Sequence, residues 1–305
     1  MSLKISIQHI RTLTGHIGAV YQLQAVNNGA FISAGGDGWI VCWTIDGESV
    51  ETGKLLAKTG TQIFSLLYDE GESLLVAGDM HGEVHFINMD SPEKTRRIQH
   101  HKKGVFGIKM YDKSIFTLGG DGILSKWDRT DLSKVESMKL SNKSLRSMTA
   151  SDTAFYIGAS DKSIIMIDRV TEKVISVEKF AHENSIFSLA FDSKVQYMLS
   201  GGRDAMLNIW SEGTALKIYK GIPAHLFTIN AIQFNPSGKL FATASRDKTI
   251  KIWDAESYKL LKVIESIRDN GHVNSVNHLL WLSESILLSC SDDRTIKMWE
   301  IKYKV

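Results

Sequence analysis

Five times along this 305-residue chain a histidine is followed, 16 to 18 positions later, by a serine or threonine, and four positions after that by an aspartate. The sets are His16, Ser33 and Asp37; His101, Thr117 and Asp121; His182, Ser200 and Asp204; His225, Thr243 and Asp247; and His272, Ser289 and Asp293. Six residues beyond each aspartate stands a tryptophan: Trp43, Trp127, Trp210, Trp253 and Trp299. Hydroxyl, imidazole and carboxylate are the parts of a nucleophilic triad. An active site, however, is single and convergent, so a set repeated five times points to structure rather than catalysis. No catalytic residue is assigned from it.

The other reactive groups give no chemical motif. Of ten histidines, five belong to the repeated sets, leaving His9, His81, His85, His100 and His278. Placed in one strand, His81 and His85 are about 13 Å apart at ~3.3 Å per residue, too far to share an ion. There is no CxxC, HExxH or GxSxG, so neither a metal nor a cofactor is expected. The clusters Gly35-Gly36-Asp37-Gly38, Gly119-Gly120-Asp121-Gly122 and Gly201-Gly202 lack the Lys-Ser/Thr of a phosphate loop. They read as turn glycines supplying positive φ. Cys42 and Cys290 both fall inside predicted strands and have no basic neighbour in sequence, which suits inert core residues.

The elements that must carry the sets are clearest over residues 224–254. Apolar and polar residues alternate through Ile229, Ala231 and Gln233, and a turn follows at Asn235-Pro236-Ser237-Gly238. A second apolar run covers 240–244, a polar turn holds Arg246-Asp247-Lys248, and a third run ends at Trp253-Asp254. With a fourth run over 259–264 this predicts a four-stranded antiparallel sheet. One such sheet is small and apolar on both faces, so it needs neighbours of its own kind. Marking each copy by its turn residue gives Asp37, His81, Asp121, Asp161, Asp204, Asp247 and Asp293, spaced by 44, 40, 40, 43, 43 and 46 residues.

That period, with an upstream histidine and a closing Trp-Asp, resembles the WD-repeat (WD40) β-propeller family, and the resemblance covers essentially the whole chain. Five of the seven copies carry the motif well. The resemblance implies an all-β fold, a seven-bladed β-propeller of four-stranded antiparallel blades forming one domain over residues 1–305. Residues 3–13 read as one strand before the first histidine, while the chain stops after the third strand of the last copy. The N-terminal strand is therefore expected to pair into the last blade and close the ring, covering an edge that would otherwise invite aggregation. The family also implies that each His, Ser/Thr, Asp and Trp set is a structural hydrogen-bond network running from indole through hydroxyl and imidazole to the turn carboxylate. Copy two has Thr59, Ala77, His81 and Ile87 at the four positions, and copy four has Ser141, Ile157, Asp161 and Ile167. Apolar packing is expected to replace the network in both.

The family's usual binding surface lies where the loops before the first strand and after the second emerge. That places Ile17, Met80, Lys102, Arg203, Leu226, Arg246 and Asp292 on a candidate partner-binding face. Apolar anchors beside arginines suit a protein or peptide, and a carboxylate or phosphate could be held between Arg203 and Arg246. Early in the first strand the copies carry Tyr21, Phe64, Phe106, Arg146, Phe187, Asn230 and Asn277. Packing between blades explains the aromatics, and Arg146 is the candidate charge near the channel.

Composition agrees with this reading. The hydrophobic share of 43% and charged share of 23% are ordinary for a globular protein. A net charge of +2 argues against nucleic-acid binding. Two cysteines and no apolar run of leader or spanning length suggest a reducing compartment, no membrane and a cytoplasmic location. The expected protein is a non-enzymatic scaffold or adaptor, a monomer outside its complexes. The alternative is a small-molecule-binding or hydrolytic enzyme using the channel mouth.

Overall fold

The computed structural model describes residues 4–303 apart from 27–28, 47–48, 51–52, 193, 195–196, 212 and 214. Leu3 and Lys304 thus lie outside the described residues. Strands joined by short turns make up nearly all of it, with a single 3-10 turn at Pro92–Lys94 and a short helix at Ser266–Asp269. That helix occupies the longer connection before His272. The strands form seven antiparallel sheets within two compact units, residues 15–146 and residues 1–14 with 147–305.

The unit of residues 15–146 holds three sheets. The first is Val20–Val26, Ala30–Gly35, Trp39–Asp46 and Lys54–Lys58, with the two-residue strand Ser49–Val50 also against the third strand. Next come Ile63–Asp69, Leu74–Asp79, Glu83–Asn88 and Arg96–Gln99, then Val105–Tyr111, Ser114–Gly119, Ile123–Asp128 and Lys134–Lys139. In the other unit the fourth sheet begins with Leu145–Ala150, whose first two residues fall at the unit boundary, and continues through Ala154–Ala159, Ile164–Asp168 and Val174–Glu178. The fifth and sixth run Ile186–Asp192, Tyr197–Gly202, Met206–Ser211, Lys217–Pro223 and Ile229–Phe234, Leu240–Ser245, Ile250–Asp254, Leu260–Ile264. The seventh is Val276–Trp281, Ile286–Ser291 and Ile296–Tyr303, completed by Ile5–Leu13.

Burial explains the residue types. The second strand of a sheet is flanked on both sides and covered on both faces, so every residue of Leu74–Asp79, Ala154–Ala159 and Leu240–Ser245 is buried. The fourth strand is an edge and is mostly exposed, as in Lys134–Lys139. Each core spans two sheets: Leu240, Ile250 and Ile252 meet Val276, Leu279 and Trp299, while in the other unit Val76 and Phe86 meet Val105, Ile108 and Trp127. No sheet hides its apolar faces without a neighbour.

The turn between the second and third strands has one fixed conformation. The residue after the turn marker is left-handed in all seven sheets: Gly38, Gly82, Gly122, Lys162, Ala205, Lys248 and Arg294. Positive φ thus belongs to Gly38 and Gly122, not to Gly35-Gly36, Gly119-Gly120 or Gly201-Gly202. Those earlier glycines answer a different need, close approach. A Cβ on Gly119 would stand 2.1 Å from the Asp121 carboxylate and 2.2 Å from His101 Nδ1.

The chain's own start supplies the missing strand of the seventh sheet. Ile5 faces Tyr303 and Leu13 faces Ile296, with a bulge between His9 and Arg11. Ile5 is buried in the same core as Trp299 and Ile301. Deleting residues 1–13 removes this ladder and uncovers that core, so the melting temperature should fall by about 10 °C or more, far beyond the effect of trimming a tail. Unchanged melting would show that the strand carries no such load.

Candidate functional site

The five repeated sets close into chains of hydrogen bonds inside five sheets. His16 Nδ1 donates to Asp37 at 2.8 Å, Ser33 lies 2.7 Å from His16 Nε2, and Trp43 Nε1 donates to Ser33 at 2.8 Å. The corresponding distances are 3.1, 2.9 and 3.0 Å for His101, Thr117, Asp121 and Trp127. For His182, Ser200, Asp204 and Trp210 they are 2.9, 2.7 and 2.8 Å. They are 2.8, 2.7 and 3.0 Å for His225, Thr243, Asp247 and Trp253, and 2.8, 2.8 and 2.9 Å for His272, Ser289, Asp293 and Trp299. Each hydroxyl belongs to a fully buried residue of the second strand and gives its one proton to the imidazole while accepting from the indole. A nucleophile needs that oxygen open to substrate, so these triads do no acyl chemistry.

The turn carboxylate does more than hold the imidazole. It accepts the backbone N–H of the residue after the histidine: Ile17, Lys102, Glu183, Leu226 and Val273, at 2.8 to 3.1 Å. It also accepts the N–H two residues on, at Trp39, Ile123, Met206, Thr249 and Thr295. Across the same gap, the residue before the aspartate donates its N–H to the other loop, Arg203 to Ser185 O at 2.8 Å and Arg246 to Thr228 O at 3.0 Å. Burial alone would raise these carboxyls. The imidazole and the amide donors outweigh it and hold Asp37, Asp121, Asp204, Asp247 and Asp293 below the usual range. Burial also pushes His101, His225 and His272 down, only partly offset by their aspartates.

Sequence reasoning missed a further tie. Lys251 Nζ donates to Ala224 O at 2.6 Å, Lys297 Nζ to Asn270 O at 2.7 Å, and Asn208 Nδ2 to Ala181 O at 2.9 Å. Each stands four residues beyond a turn aspartate and fastens the third strand to the loop ahead of the histidine, so the fixed offset was the available signal.

The second sheet departs from expectation. Ile87 is only half-buried, and a polar set replaces the lost network. Asp79, at the end of Leu74–Asp79, is fully buried; its Oδ1 accepts from the N–H of His81 and of Glu83, both at 2.9 Å, and its Oδ2 lies 3.2 Å from His85 Nε2. His81 sits in the turn, not in a strand with His85, and is exposed. In the fourth sheet Ile157 and Ile167 are buried, and Asp161 accepts from the Ser163 N–H and hydroxyl.

All seven residues assigned to the partner face are exposed. Arg203, Leu226 together with Arg246, and Asp292 stand at the loops of the fifth, sixth and seventh sheets in one unit, and Ile17, Met80 and Lys102 at those of the first, second and third in the other. Leu226 is 84% exposed, and Phe227, absent from the expected set, is 58% exposed beside it. Asp292 accepts from Asn277 Nδ2 at 2.8 Å. Early in the first strands, Tyr21, Phe64 and Phe106 pack in succession with ring centroids 5.4 Å apart, and the Arg146 guanidinium lies 3.9 Å over Phe106. Burial lowers the Arg146 pKa. In the other unit Asn230 bridges instead to Ser275 and the Val276 carbonyl.

Comparison with known proteins places this geometry. The model of the WD domain, G-beta repeat, matches residues 7–44, 174–211, 216–254 and 261–300, just over half of the chain. The chain belongs to the WD40 family. The WD40 β-propeller domain of Doa1 superposes with a TM-score of 0.84 over 97% of both chains at 20% identity, so the fold is a β-propeller with the seven sheets as blades. Mouse WD repeat-containing protein 1 is 27% identical over 76% of this chain and 41% of its own length. Nuclear distribution protein nudF of Emericella nidulans is 31% identical over 52% of this chain and 39% of its length. The chain thus spans about two fifths of those two relatives. Serine-threonine kinase receptor-associated protein of rat is 24% identical over 87% of this chain and 75% of its length.

Thr243→Val should cost about 2–3 kcal/mol in urea unfolding, because it strands the Trp253 N–H and His225 Nε2 in a dry interior, and Thr243→Ser should restore most of it. The histidine pKa values are depressed, so their contribution is complete above the ordinary value of 6.5 and declines as pH falls through it. The depressed aspartates add a second loss below 3.8. Melting temperatures should therefore hold from pH 8 to 7, fall below about 6.5 and fall again below about 4. A flat profile down to pH 5 would contradict the assignment.

Proposed function

We propose that this chain is a non-enzymatic protein-interaction scaffold that recognises a protein or peptide partner on the loop face carrying Arg203, Leu226, Arg246 and Asp292. Family membership supports the scaffold role, since WD40 proteins generally bind protein partners. The observation that carries the site is the double pinning of its loops. Leu226 N–H is held by the Asp247 carboxylate at 3.0 Å and Arg246 N–H by the Thr228 carbonyl at 3.0 Å, while both side chains stand in solvent. Ordered backbone under exposed side chains lowers the entropy lost on binding.

The partner that fits is a peptide with an acidic or phosphorylated residue for the two arginines and an apolar residue for Leu226 and Phe227. Residues 1–305 would act as one propeller domain, in the cytoplasm, as a monomer outside its complexes. Among the described residues no helix is long and apolar enough to cross a membrane.

Affinity capture from native cells with Arg203→Ala/Arg246→Ala tests this. Retention of at least one partner should drop by about tenfold or more, and raised salt should mimic the loss for the unaltered chain. An undiminished set of partners would place the binding surface elsewhere.

A further inference from the structure

The hairpin of the second sheet brings together three groups that can bind a metal. Glu83 and His85 are two residues apart in Glu83–Asn88 and so share one face of the strand. Asp79 ends the preceding strand, and the turn folds it onto that face. His85 Nε2 lies 3.2 Å from Asp79 Oδ2 and 3.8 Å from Glu83 Oε2, and the three donor atoms are all within 4.8 Å of one another.

An ion bonded at about 2.0–2.1 Å to nitrogen and carboxylate oxygen holds its donors about 3.3 Å apart in a tetrahedron. The two histidine distances bracket that value. Glu83, partly exposed and long, can make the remaining adjustment by a side-chain rotation.

The outer oxygens are already engaged. Asp79 Oδ1 accepts two backbone N–H groups, and Glu83 Oε1 is 3.5 Å from Arg97 Nε. These contacts aim Oδ2 and Oε2 at the imidazole, as outer-shell partners orient metal ligands. A hydrogen bond between His85 and Asp79 supplies one proton to this point, where two carboxylates converge. A divalent cation would neutralise both and use the imidazole lone pair as well. The site is closed on one side, with the Asp79 side chain at 0% exposure and His85 at 10%, and open at Glu83, where water can complete the coordination.

We propose that Asp79, Glu83 and His85 form a three-ligand site for a divalent transition metal, zinc being the ion that best suits one imidazole and two carboxylates. The bound ion would cross-link the second and third strands in one of the two sheets that lack the histidine–hydroxyl–aspartate chain, with the exposed Met80 next in sequence to its ligand Asp79.

The full-length protein, stripped with chelator, is titrated with zinc by calorimetry and with cobalt by visible absorption, and its melting is followed with and without zinc. One equivalent should bind with a Kd of about 1 µM or tighter, with a rise in melting temperature. Glu83→Gln and His85→Ala should each weaken binding by about tenfold or more and abolish the cobalt spectrum, whereas His81→Ala should leave both unchanged. Asp79 also holds the turn, so the two milder variants decide the matter. No uptake by the unaltered chain at about 100 µM zinc overturns the proposal. So does equal binding by the Glu83 and His85 variants, or an equal loss in His81→Ala.

Discussion

One carboxylate, set in the turn between the second and third strands of five of the seven sheets, is the constraint from which most of this structure follows. Asp247 accepts from an imidazole, from the amide of Leu226 in the loop before the sheet, and from the amide and hydroxyl of Thr249 in its own turn. Removed from water, an anion needs all of these donors, and three separate pieces of chain must converge to provide them. The imidazole passes the demand inward to a hydroxyl on the central strand, and the hydroxyl passes it to an indole on the third. Five of the seven sheets are thereby locked from their loop edge to their interior before any partner is considered.

Packing between sheets supplies what these chains cannot. A strand such as Leu240–Ser245 is buried on both faces because residues of the fifth and seventh sheets pack with it: Ile209 and Phe241 share one core, and Leu279 and Leu240 share the other. Hydrogen bonds fix conformation within a sheet, whereas the hydrophobic effect joins one sheet to the next. The strand Ile5–Leu13 serves both ends at once, pairing with Ile296–Tyr303 and contributing Ile5 to the core.

Much of this was legible in the residue spacings. The interval from aspartate to tryptophan is rigid because it spans a tight turn and one strand, so five sets keep the same six-residue spacing, and the four-strand unit followed from alternation and turn residues. What escaped has a common physical origin, namely contacts that depend on distance rather than on type. Gly119, two residues before Asp121, looked like a source of positive φ, but its neighbours simply leave no room for a Cβ. Nothing in the residue type of Lys251 and Lys297 announces a partner, yet their ammonium groups reach loop carbonyls. In the second sheet the aspartate has moved two positions upstream of His81, to the end of the strand, so a fixed-offset reading fell on a histidine that contributes only its backbone.

The division of labour between oxygen atoms also explains why fold and partner are written in different residues. Every group that closes a sheet points inward and is spent there, and the same carboxylate leaves Ile17, Lys102, Leu226 and Val273 with fixed backbones and free side chains. Changing one of those side chains alters no internal hydrogen bond, so the outer surface can vary in charge and shape without cost to the sheets beneath. Rigidity of the loops is therefore a by-product of burying an anion, and recognition draws on it. The proposed recognition needs no moving part, because the element that makes the sheet stable is the element that presents the exposed loop side chains.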